Sequence, residues 1–303
     1  MPSLWRGGAT LLAVAVVLGG CSLRRVAVNV AGNALASGGA GWASDEDPEL
    51  VREALPFALK TMESLLAQSP RHRGLLLGAC SGFTQYAYAF VQSEADYLEA
   101  ADLAAATAMR ARAQKLFLRA RDYGLRGLEV DHPGLRQGLQ RDQAAVEAVR
   151  EPQAVALLYW TGVAWGAAIS LQKDNADLVA DLPVTAALVR RALALDERFG
   201  GGAGYDFFIA YEGGRPAAAG GSVERARMAF ERAVELSGGR RAAPYVGFAE
   251  TVCVATQDRP EFERLLNLAL AIDVRTPGPD RLANLLAQRR ARWLLGRIDE
   301  LFI

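Results

Sequence analysis

The sequence is poor in the residues that bind nucleic acid through charge. Only three of its 34 basic residues are lysines (Lys60, Lys115 and Lys173), and no basic cluster stands out along the chain. The 34 acidic residues balance the basic ones. Because a nucleic-acid-binding surface needs concentrated positive charge, the composition argues against a nucleic-acid partner.

Residues suited to catalysis or metal binding are also scarce. His72 and His132 are the only histidines, and neither has the regularly spaced ligand partners of a metal site. The segment 78–82 has the letters of a G-x-C-x-G elbow, but it lies within a helical apolar pattern and not between a strand and a helix. The glycine run at 200–204 lacks the Lys-Ser/Thr pair of a phosphate loop and is interpreted as a turn. We therefore expect no catalytic residue, no metal site and no cofactor.

Runs that alternate between apolar and polar residues are absent, which argues against a β-sheet. Apolar residues instead recur at helical spacing, for example Leu55, Leu59 and Met62. Asp47 followed by Pro48 is typical of a helix start, and Asp258-Arg259-Pro260-Glu261 has the spacing of a capping box that begins another helix. The sequence therefore predicts an all-α fold.

The N-terminus has the pattern of a lipoprotein signal. Arg6 is its only charge, the apolar run Ala9–Leu18 follows, and Leu18-Gly19-Gly20-Cys21 forms a lipobox. We expect residues 1–20 to be removed and Cys21 to carry the lipid; the alternative is an ordinary signal with an incidental cysteine. Ser22 is not an aspartate, which favours the outer membrane, facing the periplasm.

The rest of the chain divides into a tether and one domain. Residues 21–44 form the lipid anchor and a Gly/Ala/Ser-rich tether, and residues 45–303 form a single helical domain. No other stretch reaches about 18 apolar residues without charge, so the lipid is the only membrane attachment expected. Cys80 and Cys253 lie in helical apolar patterns and are expected to be buried thiols, with a disulfide as the alternative.

Several helices end in related strings, which indicates a repeat. Ala226, Phe230 and Ala233 fit the second helix of a tetratricopeptide repeat (TPR), whose period is about 34 residues. The first-helix positions are mostly unfilled. We therefore expect stacked helical hairpins forming a degenerate TPR-like superhelix with a concave surface, or else a generic helical bundle.

The last predicted helix is rich in arginine. We interpret it as a C-terminal capping helix with a solvated arginine face. Its arginines are Arg281, Arg289, Arg290, Arg292 and Arg297.

Two aromatic stretches and a following polar turn are candidates for contact with a ligand or partner. Aromatic residues at helical spacing are usually core residues, which is the alternative interpretation. Trp160 and Trp165 diverge by roughly 140° around a helix, so one can be core while the other faces a cavity. The candidate residues are Tyr86, Tyr88, Phe90, Trp160, Trp165 and Lys173.

Four strings together resemble the T component of TRAP (tripartite ATP-independent periplasmic) transporters, over about Val26 to Phe302. The resemblance implies a periplasmic, lipid-anchored, TPR-like helical protein without enzymatic activity that accompanies the solute-binding P subunit. It also implies self-association, with a trimer around a central pore among the expected forms. The strings are Asp47–Pro56, Tyr159–Trp165, Leu171–Asn175 and Arg281–Asn284.

Two functions remain open at the level of sequence. The first is a transport component that docks a TRAP solute-binding protein and hands over solute. The second is a cell-envelope TPR scaffold lipoprotein for protein assembly with no small-molecule ligand. A neighbouring gene for a TRAP solute-binding protein would favour the first.

Overall fold

The computed structural model describes residues 42–302. Within that range 78% of the residues are helical and none lies in a strand, which confirms the predicted all-α class. The signal peptide, Cys21 and nearly all of the tether lie outside the described residues. The TPR-like character of the repeat stays a prediction.

The helices are numbered here in chain order from Pro48. Two π-helical turns, Tyr88–Gln92 and Ala249–Cys253, connect α2 to α3 and α11 to α12. The α-helices are α1 (Pro48–Gln68), α2 (Arg73–Ala87), α3 (Ser93–Leu98), α4 (Leu103–Leu128), α5 (Leu135–Arg141), α6 (Val155–Ser170), α7 (Ala176–Val179), α8 (Leu182–Leu195), α9 (Ala203–Gly213), α10 (Val223–Ser237), α11 (Ala243–Phe248), α12 (Val254–Thr256), α13 (Arg259–Ala271), α14 (Arg281–Leu295) and α15 (Ile298–Leu301).

Side-chain caps start these helices where the sequence predicts. The Asp47 carboxylate accepts hydrogen bonds from the backbone N–H groups of Glu49 and Leu50, at 3.0 and 3.1 Å. Asp258 accepts from the N–H of Glu261 at 3.1 Å in the same way. Each cap satisfies backbone donors that the first turn of a helix leaves unpaired.

Successive helices pack side by side, and small residues allow the closest approaches. Helix α4 packs on α2 and α6, α6 packs on α8, and α9 packs on α10. A Cβ atom at Gly124 of α4 would lie 2.1 Å from Thr161 Oγ1 of α6, so this crossing requires glycine. Cys80 and Cys253 are free, buried thiols, as predicted.

The C-terminal helix α14 returns to the start of the domain. It contacts α1, and its Leu282 and Leu286 pack in a cluster with Val51 and Phe90 of the N-terminal helices. Arg281 Nη2 donates to Glu46 Oε2 at 2.5 Å, between residues that are 235 positions apart. The two ends of the helical stack are therefore joined.

This closure corrects the prediction of a capping helix with a solvated arginine face. The side chains of Arg281 and Arg290 are only 12% exposed, because both pair with carboxylates of other elements. Arg289 also pairs with Glu94 of α3, although it keeps 44% exposure. Three of the arginines of α14 thus pair with carboxylates in other parts of the fold.

Candidate functional site

Two partly buried arginine clusters join charged side chains from different elements of the fold. The Arg290 cluster consists of Arg290, Glu250, Asp96 and Tyr88. The Arg241 cluster consists of Arg241, Asp206, Asp280 and Tyr159. Each contains one guanidinium, two carboxylates and one tyrosine whose hydroxyl makes no hydrogen bond to the described residues.

A π-helical turn positions two members of the Arg290 cluster. Tyr88 opens the turn between α2 and α3, where its carbonyl accepts a hydrogen bond from Ser93 Oγ at 2.9 Å. Glu250 lies in the turn between α11 and α12. A π turn adds a residue to the helix and rotates the side chains that follow it, and such turns are frequent at functional sites.

Arg290 holds these elements together. Its Nη1 donates to Asp96 Oδ2 at 2.9 Å, and its Nε donates to Glu250 Oε2 at 3.2 Å. The guanidinium lies over the ring of Trp293, 4.3 Å from the centroid. Burial alone would lower the pKa of Arg290, but the two carboxylates raise it, so the charge is retained.

Tyr88 reaches the protein surface beside this cluster. Its surface is 53% exposed, yet four neighbours influence the pKa of its hydroxyl, namely Glu250, Arg290, Tyr97 and Asp96. Burial, followed by the charge of Glu250, raises the pKa of Tyr88 to about 12. A neutral phenol half open to solvent and surrounded by charged groups is available for contact with a ligand or partner.

The Arg241 cluster lies at the other end of α14. Asp280 is the N-cap residue of that helix. At a rise of 1.5 Å per residue, it lies about 15 Å from Arg290 along the helix axis. Arg241 donates to Asp206 of α9, and its Nε lies 3.9 Å from Asp280 Oδ1. Burial raises the pKa of Asp206, while the charge of Arg241 acts in the opposite direction.

Two polar atoms of this cluster have no partner. Asp206 Oδ1 is buried and accepts no hydrogen bond from the described residues. Tyr159 of α6 is 8% exposed, and its hydroxyl is also unpartnered within the described part of the chain. Burial, then the charge of Asp206, raises the pKa of Tyr159. Asp206 Oδ1 is therefore an exception to the rule that buried polar atoms are paired.

The glycine run at 200–204 orients Arg241. Gly200, Gly201 and Gly202 have φ values of 55°, 64° and 87°, a left-handed conformation that favours glycine. The turn that they form brings the Gly201 carbonyl to 3.4 Å from Arg241 Nη1. It also places Phe199 5.4 Å from Tyr159, between ring centroids.

The three candidate aromatic residues of the first stretch lie in two different places in the structure. Tyr88 belongs to the Arg290 cluster. Tyr86 and Phe90 instead pack where the two ends of the stack meet, with ring centroids 5.9 Å apart.

The candidate residues of the second stretch, and the lysine that follows it, also differ in their surroundings. Trp165 is 5% exposed in the core, with the Arg121 guanidinium over its ring. Trp160 is half-buried and makes an edge contact with Tyr159, 4.9 Å between centroids. Lys173 is exposed in the turn after α6.

Sequence reasoning missed the charged members of both clusters. Glu250 and Asp206 are lone carboxylates within apolar helical segments, and that pattern could have identified them. Their arginine partners carried no comparable signal, because the pairings join distant parts of the chain.

The described residues include no group of His, Cys, Asp and Glu side chains that could hold a metal ion. None of the described helices is long and apolar enough to cross a membrane.

Comparison with known proteins gives two findings. A family model described as the TRAP transporter T-component matches residues 44–302. An uncharacterized protein of Treponema pallidum (strain Nichols) is 30% identical over 302 residues, covering 94% of each chain. The matched region contains both arginine clusters.

Proposed function

Because this chain belongs to the TRAP transporter T-component family, we propose that it is a non-enzymatic periplasmic lipoprotein that docks a TRAP solute-binding protein and hands over solute. Its role as a transporter-associated component follows from the family. The docking, the lipid anchor and the solute are the proposed parts.

The exposed Tyr88 is the observation that supports docking at the Arg290 cluster. Aromatic side chains that are accessible yet flanked by protein often dominate the energy of binding interfaces. The cluster also brings two charged groups, Glu250 and Arg290, close to Tyr88, and these can select a partner by complementary charge. Among the exposed aromatic residues outside it, Phe57 on α1 is the best comparison, since it is 79% exposed.

The docking proposal is tested with the mature chain and a TRAP solute-binding protein of the same organism. The mature chain is coupled to a biosensor through Cys21. This coupling is selective because Cys80 and Cys253 are 0% and 1% exposed and burial raises the pKa of each thiol to about 12. We expect saturable binding that Tyr88→Ala weakens by about 2 kcal/mol.

Phe57→Ala is the matched control and should leave this affinity unchanged. The reverse result, with Phe57→Ala weakening binding and Tyr88→Ala leaving it intact, would place the partner on the outer face of α1. Absence of binding to the solute-binding protein would contradict docking and favour the scaffold function.

The lipid anchor has its own test at Cys21. Metabolic labelling with a palmitate analogue should mark the wild-type protein, and Cys21→Ser should abolish the label while the protein retains its signal region. Equal labelling of both proteins would contradict the anchor. Fractionation of the labelled protein then tests the proposed outer-membrane location.

Self-association completes the proposal. We propose that the mature chain forms a homo-oligomer, with a trimer as the form to test. Light scattering coupled to size-exclusion chromatography measures the mass directly, and a monomer at all accessible concentrations would contradict this part.

A further inference from the structure

The outer side of α1 carries exposed apolar side chains. The inner side of this helix is buried against α2, for example through Leu59 and Met62. On the outer side Phe57 is 79% exposed and Leu50 is 57% exposed, and Ala54 between them is exposed as well. No other large apolar side chain of the described residues is as exposed as Phe57. Large apolar groups that share one exposed face mark interaction surfaces.

The exposed residues have the spacing of a helix-pairing stripe. Ala54 follows Leu50 by four residues, Phe57 follows by three, and Thr61 follows by four. This alternation keeps side chains on one face of a helix and is the pattern by which two helices pair. The Thr61 hydroxyl donates to the Phe57 carbonyl of the same helix at 2.9 Å, so a dry contact would not leave this donor unpaired. These four residues form the α1 face.

The side chains of the α1 face are complementary in size when two copies of the helix run antiparallel. With a two-fold axis midway between Ala54 and Phe57, Phe57 of one copy meets Ala54 of the other. Leu50 then meets Thr61 of the other copy. Each layer combines a large side chain with a small one, as close packing requires. A parallel pair would instead set Phe57 against Phe57 and Ala54 against Ala54, which overfills one layer and leaves a gap in the next.

Charges at the edge of the α1 face fit the same arrangement. Glu53 and Lys60 are both exposed, and they lie on either side of the centre of the face. Glu53 makes no ion pair in the part of the chain that the structure describes. Lys60 shares its carboxylate partner Glu63 with Arg119. In an antiparallel pair Glu53 of each copy lies beside Lys60 of the other, so complementary charge favours this orientation.

From these observations we propose that α1 pairs in antiparallel orientation with α1 of a second copy of this chain, through Leu50, Ala54, Phe57 and Thr61. The proposal rests on the self-association put forward above and names its contact. A two-fold contact gives a dimer, whereas the family resemblance implies a trimer. The α1 face is about 17 Å long at 1.5 Å per residue, so the pair is smaller than a standard interface and should be weak in solution. Lipids on Cys21 would hold both copies at one membrane and raise their effective concentration.

Sedimentation equilibrium of the mature chain over micromolar concentrations tests the proposal. We expect a monomer–dimer equilibrium. Phe57→Glu places a charge at the centre of the contact and should weaken the dimer at least tenfold. Met228→Glu is the matched control, because Met228 is also a large apolar side chain and is 63% exposed, but it lies on α10. It should leave the dimer unchanged.

Charge reversal tests the antiparallel orientation. Glu53→Lys and Lys60→Glu each bring like charges together across the pair, so each variant alone should dimerise severalfold more weakly than the wild type. An equimolar mixture restores opposite charges in both ion pairs and should form a heterodimer as readily as the wild type dimerises. A dye on Cys21 of one variant allows its sedimentation to be followed separately. Both variants should fold, because both positions are exposed and Glu63 keeps its pair with Arg119.

The outcomes separate this proposal from the proposed function. A monomer at all accessible concentrations would overturn both the α1 pairing and self-association. A trimer, or a dimer that Phe57→Glu leaves intact, would overturn the α1 pairing alone. So would a mixture of the charge variants that associates no better than either variant by itself. Binding of a monomeric mature chain to phosphatidylethanolamine vesicles, abolished by Phe57→Glu, would assign the α1 face to a membrane and also overturn the pairing.

Discussion

At the scale of the residue, the two tryptophans of α6 differ in their surroundings. Trp165 is 5% exposed and lies in the core, whereas Trp160 is half-buried beside the Arg241 cluster. Their sequence spacing shows that they point in different directions, but it does not say which one is buried.

We expect Trp165→Ala to lower the free energy of unfolding by about 3–5 kcal/mol, because it leaves a large cavity. Trp160→Ala should lower it by less than about 2 kcal/mol. Urea unfolding of both variants measures the difference. Equal losses would show that Trp160 is also a core residue.

Glu197 gives a residue-scale prediction about pH. Its carboxylate accepts from Arg232 and from the Tyr205 hydroxyl, and these bonds lower the pKa of Glu197 to about 2. In an unfolded chain the pKa is about 4.3. The folded state therefore binds this proton less readily, so the contribution is complete above about pH 4.3 and is lost as the pH falls towards 2.

We expect the stability difference between the wild type and Glu197→Gln to be constant from pH 7 to about 5 and to shrink below about 4. Urea unfolding across this range measures it. Glu231→Gln, an exposed carboxylate on α10 next to Arg232, is the control. A difference that grows as the pH falls would contradict the assignment.

At the scale of the element, buried amide side chains fix α14. Asn284 accepts from the N–H of Ala242 at 2.8 Å and donates to the carbonyl of Arg240 at 2.9 Å. Gln288 donates to the Ile272 carbonyl at 2.8 Å, after the end of α13. Asn284 thereby holds the segment that contains Arg241, so the position of α14 determines the geometry of that cluster.

We expect Asn284→Ala to destabilise the protein by about 1–3 kcal/mol, because it leaves the buried N–H of Ala242 and the part-buried carbonyl of Arg240 unpaired. Asn267→Ala is the matched control, since this exposed asparagine on α13 donates only to a carbonyl of its own helix. It should change stability by less than about 0.5 kcal/mol. Thermal unfolding compares the two, and equal effects would contradict a special role for Asn284.

At the scale of the whole molecule, the closure between the two ends depends on side chains. Arg290 pairs with Asp96 of α3 and with Glu250 in the π turn after α11, and the Tyr97 and Trp293 rings meet edge to face at 5.3 Å. Asp96 also binds Arg110 of α4. The Arg290 cluster is thus both part of the proposed docking surface and part of the closure.

We expect Arg290→Gln to lower the free energy of unfolding by about 2 kcal/mol, because it leaves the partly buried carboxylates of Asp96 and Glu250 without this cation. Hydrogen exchange should also increase in α3 and at the end of α14. Arg289→Gln is the control, since its pair with Glu94 is more exposed and contributes at most about 1 kcal/mol. Unchanged exchange in Arg290→Gln would show that apolar packing alone holds the ends together.

The sequence by itself determined the helical class, the capped helix starts at Asp47 and Asp258, and the burial of Cys80 and Cys253. These features depend on local spacing, on hydrogen bonds within a few residues and on the hydrophobicity of the segment, all of which can be read along the chain. The same reasoning supplied the resemblance to the TRAP T component that the family match confirms. It also singled out Tyr88 as a candidate contact residue, although not its charged surroundings.

The partners of the charged side chains became apparent only from the folded structure. Arg290 appears in the sequence as one of several arginines on a surface helix, and nothing local distinguishes it from Arg292. Its partner Asp96 is 194 positions away, and Arg241 lies 35 positions from Asp206. Such pairs exist only after the helices have stacked and α14 has returned to the first hairpin, because burial makes an arginine and a carboxylate depend on one another.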